Sequence, residues 1–172
     1  MGKGYFQVYT GNGKGKTTAA LGLALRAAGA GLRTFIAQFI KGARYSEITA
    51  LKRFDDLINV QQYGTGRFIY RNPSEEDRIA ARKGLEDLAD VLAMGKYDLV
   101  IMDEADIALH YNLFTTEELL KIITHRDSNV EAVVTGRRAP QPLLDAADLV
   151  TEMREIKHYY HNGVKARVGI EK

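Results

Sequence analysis

Short apolar runs alternate along this chain with longer segments of helical period, which is the arrangement of a parallel α/β sheet. The runs that read as strands are Tyr5–Tyr9, Thr34–Phe39, Ile58–Tyr63, Tyr97–Met102, Val130–Thr135 and Leu149–Arg154. The fourth is almost continuously apolar, as expected of a strand covered on both faces. Helical segments are expected at about 16–29, 46–56, 74–94 and 115–125, with boundaries good to ~2–4 residues. In the third, Ile79, Leu85, Leu88, Ala89 and Leu92 are read as one stripe, and Ser74 stands where an N-cap belongs. The fourth opens with Thr115 and Glu118 at capping-box spacing. Asn162-Gly163 signals a turn between two short strands in a tail, residues 158–172, that folds back over the domain.

Composition narrows the class without naming a task. The 172 residues suit one domain, and 45% hydrophobic with 27% charged residues describes an ordinary globular protein. Twenty-four basic against 22 acidic residues leave a net charge of +2, which gives no argument for nucleic acid or membrane binding. There is no cysteine, so disulfides and thiolate metal sites are excluded. No targeting segment is visible, Phe6 stands where myristoylation wants Ser or Thr, and no apolar run approaches the ~20 residues of a membrane span. A cytoplasmic protein is expected.

The chemistry begins after the first strand. Thr10-Gly11-Asn12-Gly13-Lys14-Gly15-Lys16-Thr17-Thr18 leads into the helical Ala19-Ala20-Leu21-Gly22, so a glycine loop lies between strand and helix. That context makes it a phosphate loop. Its glycines let backbone N–H groups face an anion, and the helix N-terminus adds its dipole. Lys16 supplies a positive charge to the phosphates, and the Thr17 hydroxyl can ligate Mg²⁺. The usual pattern has glycine five residues before Gly15, where this chain has Thr10.

Leu99-Val100-Ile101-Met102-Asp103-Glu104 is a buried-strand pattern ending in two carboxylates. Such an acid, on a strand expected beside the phosphate-loop strand, holds Mg²⁺ directly or through water. With Thr17, Asp103 and Glu104 are therefore the candidate metal ligands. Asp106 can join them or belong to a helix start. Thr135-Gly136-Arg137-Arg138 follows the fifth strand and lies on the same sheet edge, so Arg137 or Arg138 can make a forked phosphate contact. Lys41-Gly42 holds an equivalent place after the second strand. His158 and His161 read as solvated tail histidines rather than metal ligands. Gly64-Thr65-Gly66, with Phe68 and Tyr70, reads as a flexible loop whose aromatics either cover a flat ligand or pack on the domain.

On these residues the chain resembles the P-loop ATP:corrinoid adenosyltransferases. The likeness rests on Thr10 to Ala20, on Gln38-Phe39-Ile40-Lys41-Gly42 and on Tyr97 to Glu104. It continues through Thr135-Gly136-Arg137 with Ala139-Pro140, through Ala147 to His158, and through Gly163 to Glu171. The resemblance implies a RecA-like, mostly parallel sheet of about six strands flanked by helices in a single P-loop domain, 1–172, and a homodimer. It also implies transfer of the 5′-deoxyadenosyl group of ATP to the reduced cobalt of a corrinoid, with triphosphate leaving. ATP then lies on Gly11, Asn12, Gly13, Lys14, Gly15, Lys16, Thr17, Thr18 and Arg137, in an orientation reversed in the loop. Lys16 and Thr17 are the catalytic candidates, Mg²⁺ or Mn²⁺ is the cofactor, and a flavoprotein reductase is a possible electron donor. Phe68 and Tyr70 fall where the family meets the corrinoid.

The chain departs from the family pattern in three places. Gly66-Arg67-Phe68-Ile69-Tyr70 replaces Gly-Phe-Thr-Trp, and the chain has no tryptophan. Ser46-Glu47 stands for a Gly-Glu pair. Ala105-Asp106-Ile107 follows Glu104 where Asn-Tyr is usual. Two other readings remain. One is a P-loop kinase or ATPase acting on another small molecule. The other is a non-enzymatic module that binds a partner through its aromatic loop.

Overall fold

The computed structural model describes residues 2–42, 45–67, 69 and 72–171. Among these, strands β1 (Phe6–Thr10), β2 (Thr34–Phe39), β3 (Ile58–Tyr63), β4 (Leu99–Asp103), β5 (Glu131–Thr135) and β6 (Leu149–Glu152) form one sheet. Every neighbouring pair is parallel, in the order β3-β2-β4-β5-β1-β6. Helices α1 (Lys16–Gly29), α2 (Ser46–Leu51), α3 (Glu75–Met94), α4 (Ala105–His110), α5 (Thr116–Thr124) and α6 (Gln141–Ala146) flank it. The fold is that of a P-loop nucleotide-binding protein.

Side-chain alternation along the strands divides the core in two. Phe35, Ala37, Phe39, Val100, Met102, Ala132 and Val134 point to the layer of α3, α5 and α6. Ile36, Ile58, Leu99, Ile101 and Val133 point to α1, which answers with Ala20, Ala24, Ala27 and Ala28. Small residues let this helix lie close to the sheet, so its first turn reaches across several strand ends. Each large side chain buried this way contributes about 1.5–3 kcal/mol.

Three expectations are corrected. The acidic strand β4 does not lie beside β1, because β5 is inserted between them and pairs with both. Asp103 meets the phosphate loop through α1, which crosses the gap. Ile79 is 62% exposed, and the buried stripe of α3 runs through Ala81, Gly84, Leu85, Leu88 and Leu92. At 3.6 residues per turn, Ile79 and Leu88 are about 180° apart, so they cannot share a face. The segment around Asn162-Gly163 forms no hairpin. Tyr159–Asn162 is a 3₁₀ turn that Gly163 ends at φ 82°. The capping boxes do form, Ser74 with Asp77 and Thr115 with Glu118. Helix 46–56 breaks up after Leu51 into a 3₁₀ turn, Lys52–Phe54.

Candidate functional site

The phosphate loop joins β1 to α1 and is pressed against the residues after β6. Gly13 N–H donates to Met153 O at 2.6 Å, and Met153 N–H donates to Thr10 O at 2.8 Å. A Cβ on Gly11 would lie 2.4 Å from Met153 O, and one on Gly13 2.7 Å from it, so only glycine fits at either position. Gly11 and Gly15 have φ 101° and 120°. Thr10, where the usual loop has its first glycine, accepts a hydrogen bond from Ala139 N–H at 3.3 Å and ties the loop to the segment after β5. Lys16 is buried and donates to Gly11 O and Gly13 O, both at 2.7 Å, so its ammonium spans the loop that phosphate would fill. Burial, and then Arg137, holds that ammonium below its ordinary pKa.

At the end of β4, Asp103 is fully buried and gathers donors from every side. Its Oδ1 accepts from Thr17 at 2.8 Å and Thr135 at 2.7 Å. Its Oδ2 accepts from Lys41 at 2.8 Å and Gln38 at 3.1 Å. Burial alone would lower the Lys41 pKa, but the Asp103 carboxylate outweighs it and raises the ammonium above its ordinary value. Glu104 stands at φ 59° before α4 and donates its N–H to Thr135 Oγ1 at 3.1 Å. Burial, then Asp103, pushes its carboxyl up. Asp106, in the first turn of α4, is fully buried, and among the described residues neither carboxylate oxygen has a hydrogen-bond partner. Burial and Glu104 push it up to about 7 against the pull of Lys16.

Two cavities meet over this edge. The larger, about 830 Å³, is walled by residues 13–18 of the phosphate loop, by α1 and α2, and by Gly169–Glu171 of the tail. The smaller, about 540 Å³, lies between Ile40, Gly66, Arg67, Ile107 and Tyr111. Lys41, Tyr45, Glu104 and Arg137 line both. The Lys41-Gly42 segment packs on the Gly64–Gly66 loop so closely that a Cβ on Gly42 would lie 2.3 Å from Gly64 O. Tyr111 Oη donates to Ile69 O at 2.9 Å, which holds the middle of the aromatic loop against the smaller cavity. Phe68 and Tyr70 themselves lie outside the described residues.

The placements separate the candidates. Gly13, Lys14, Gly15, Lys16, Thr17 and Thr18 line the large cavity, whereas Gly11 and Asn12 are absent from its wall. Arg137 faces both cavities, whereas Arg138, at φ 61°, turns to His110 Nε2 at 3.3 Å. Lys14 reaches to the tail, donating to Glu171 at 2.9 Å, Ile170 O at 3.0 Å and Tyr159 Oη at 3.3 Å. His158 lines the large cavity, and His161 pairs with Glu155 at 2.7 Å. Among the described residues, no three acidic or histidine side chains are grouped to hold an ion. Sequence reasoning missed Gln38 and Thr135. Both are polar residues near the C-terminal ends of buried central strands, and that was the available signal.

Comparison with known proteins decides the family. The family described as ATP:corrinoid adenosyltransferase BtuR/CobO/CobP matches residues 2–171. The chain belongs to this family. A corrinoid adenosyltransferase of Pseudomonas aeruginosa is 35% identical over 170 residues, covering 98% of this chain and 84% of its own. That of Escherichia coli K12 is also 35% identical, over 98% of this chain and 86% of its own. Corrinoid adenosyltransferase CobA of Salmonella typhimurium is 37% identical over 175 residues, with the same coverages. In fold, the chain is similar to the flagellar accessory protein FlaH of Methanocaldococcus jannaschii, with TM-score 0.62 over 88% of this chain and 72% of that one. At 11% identity this likeness bears on architecture alone. The substrates of the family are ATP and a corrinoid, which matches two joined cavities, one floored by a phosphate loop.

Proposed function

We propose that this protein transfers the 5′-deoxyadenosyl group of ATP to the reduced cobalt of a corrinoid. One observation carries the reading beyond family membership: the phosphate-loop cavity and the cavity beneath the aromatic loop share the wall of Lys41, Tyr45, Glu104 and Arg137. A nucleotide in the first can present C5′ to an acceptor in the second. The cobalt electron pair forms the Co–C5′ bond as the C5′–O5′ bond breaks, and that bonding pair departs with the triphosphate. Co(I) is itself a strong nucleophile, so no general base is needed. The task of the chain is to orient C5′ and to stabilise the leaving charge. Lys16, the loop amides of Gly13 and Gly15, and Arg137 are suited to the second part. Thr17 is held in place for it by Asp103. In this reading Gly11 and Asn12 shape the loop, Lys14 and Thr18 border the phosphates, and Phe68 and Tyr70 meet the corrinoid.

A divalent cation, Mg²⁺ or Mn²⁺, fits the donor set, because Thr17, Asp103 and Glu104 are hard oxygen ligands beside a phosphate site. Bound there, the ion neutralises phosphate charge. The wider reading is one P-loop unit over 1–172 with residues 158–172 as its tail, working as a homodimer in the cytoplasm and supplied with electrons by a flavoprotein reductase. Exposed Leu149 and Val150 on edge strand β6 support a subunit contact, which sedimentation would test. Among the described residues no helix is long and apolar enough to cross a membrane.

The deciding experiment is anaerobic. Protein, MgATP and chemically reduced cob(I)alamin are mixed, the Co(I) absorbance is followed, and the phosphate product is assayed. Loss of Co(I) with triphosphate and a light-sensitive cobalt–carbon product is expected. Release of inorganic phosphate from ATP without corrinoid would instead establish the kinase or ATPase reading.

A further inference from the structure

Two buried carboxylates at this edge are in opposite states. Asp103 has a donor for every lone pair that two carboxylate oxygens offer, two on Oδ1 and two on Oδ2. A cation could bind it only by displacing one of them. Asp106 is equally buried and has none among the described residues. A desolvated carboxylate without a partner is costly, and either a proton or a ligand that completes it relieves that cost.

The surroundings of Asp106 say which ligand. Its charged neighbours are Glu104 and Lys16, and both line the phosphate cavity. Its Cβ rests against Gly136, where an added Cβ would lie 2.5 Å away, and Gly136 has φ 152°. Only glycine leaves room there, so the Asp106 side chain is held at the root of the segment that carries Arg137. Glu104 also accepts no hydrogen bond at its carboxylate among the described residues. A divalent ion held by two carboxylates and a hydroxyl would leave its other positions to water and phosphate.

We propose that Asp106 is a cation-holding residue: Glu104 and Asp106, with the Thr17 hydroxyl, take the divalent ion, while Asp103 orients Thr17 and Lys41 and does not ligate. This rests on the cation reading above and reassigns one of its ligands.

The test uses Mn²⁺ itself as probe, with full-length protein. Free Mn²⁺ is counted by electron paramagnetic resonance, with and without ATP, for the wild type, Asp106→Asn and Glu104→Gln. Loss of a residue in the ion's coordination shell should weaken Mn²⁺ binding by about tenfold or more in both variants. Thermal melts of the same samples give a second readout. Asp106→Asn should melt no lower than the wild type in the absence of ions, and should lose the Mn²⁺-induced rise. Asp106→Ala serves if the amide variant does not fold. Wild-type Mn²⁺ affinity in both Asp106 variants, with binding lost in Glu104→Gln, would overturn the proposal and leave the cation reading intact. Failure of the wild type to bind Mn²⁺ even with ATP would overturn both.

Discussion

Two carboxylates hold the phosphate loop, one from each side, and they do so with similar numbers of donors but in different media. Asp103 takes Thr17, Thr135, Lys41 and Gln38 at the buried centre of the sheet. Glu171 takes Lys14, Tyr159 and three N–H groups of Arg167 at the outer rim of the tail. The hydrogen-bond diagrams are alike, but the energies are not. Around Asp103 water is excluded, so removing one partner strands the others in low dielectric. Around Glu171 water and salt screen each pair, and long side chains lose entropy to form it. One cluster therefore fixes geometry, and the other fastens a segment that can come away.

Lys16→Ala should have the largest effect of all and should break the loop's function without disturbing either cluster. Turnover is expected to fall by at least about 10²-fold, with the urea midpoint little changed. Loss of the fold in that variant would show that Lys16 serves chiefly to brace Gly11 and Gly13.

Asp103→Ala should strand the partly buried Lys41 and cost about 3–5 kcal/mol in urea unfolding. Lys41→Met removes one donor of four and should cost less, about 1–3 kcal/mol. Equal losses in the two variants would mean that the Lys41 contact, rather than the whole cluster, carries the stability.

Glu171→Gln should leave the urea midpoint almost unmoved while speeding amide hydrogen exchange in residues 159–171. A large fall in midpoint would show that the tail is integral to the core. The pH dependence sharpens the same point. The side-chain hydrogen bond of Arg167, then that of Tyr159, holds the Glu171 carboxyl far below its ordinary value. A depressed carboxyl contributes above its unfolded pKa and loses that contribution as pH falls through the folded one. Tail protection should therefore persist through the ordinary carboxylate range near pH 4.5 and fail only in stronger acid. Loss of protection near pH 4–5 would mean that the Glu171 contacts are not formed in solution.

Much of this was legible because it is local. The strands β2 and β3 have the expected bounds. Helix α3 begins at the Ser74 cap that the spacing predicted. The phosphate loop is recognisable because glycines, lysine and threonine must stand at fixed steps between a strand and a helix. Ile79 was misplaced because an exposed isoleucine near a helix start looks like a core residue until the phase of the stripe is known. β6 shows what sequence similarity leaves open. Leu149-Val150 resembles Leu99-Val100, but β4 is central and wholly buried whereas β6 is an edge strand and exposed along its length.

By itself the sequence determined the class of chemistry: a phosphate loop, an acid pair after an apolar strand, and a basic residue after another, all at strand ends that a parallel sheet must align on one edge. Tertiary structure decided how these parts are used. The insertion of β5 between β1 and β4 brought Thr135 to Asp103. Strand register put Gln38 opposite Asp103. The close approach of Gly136 left Asp106 buried without a partner. Residues 17, 38, 103 and 135 are too far apart in the chain for any local pattern to join them, because strand order and register depend on which buried faces pack together.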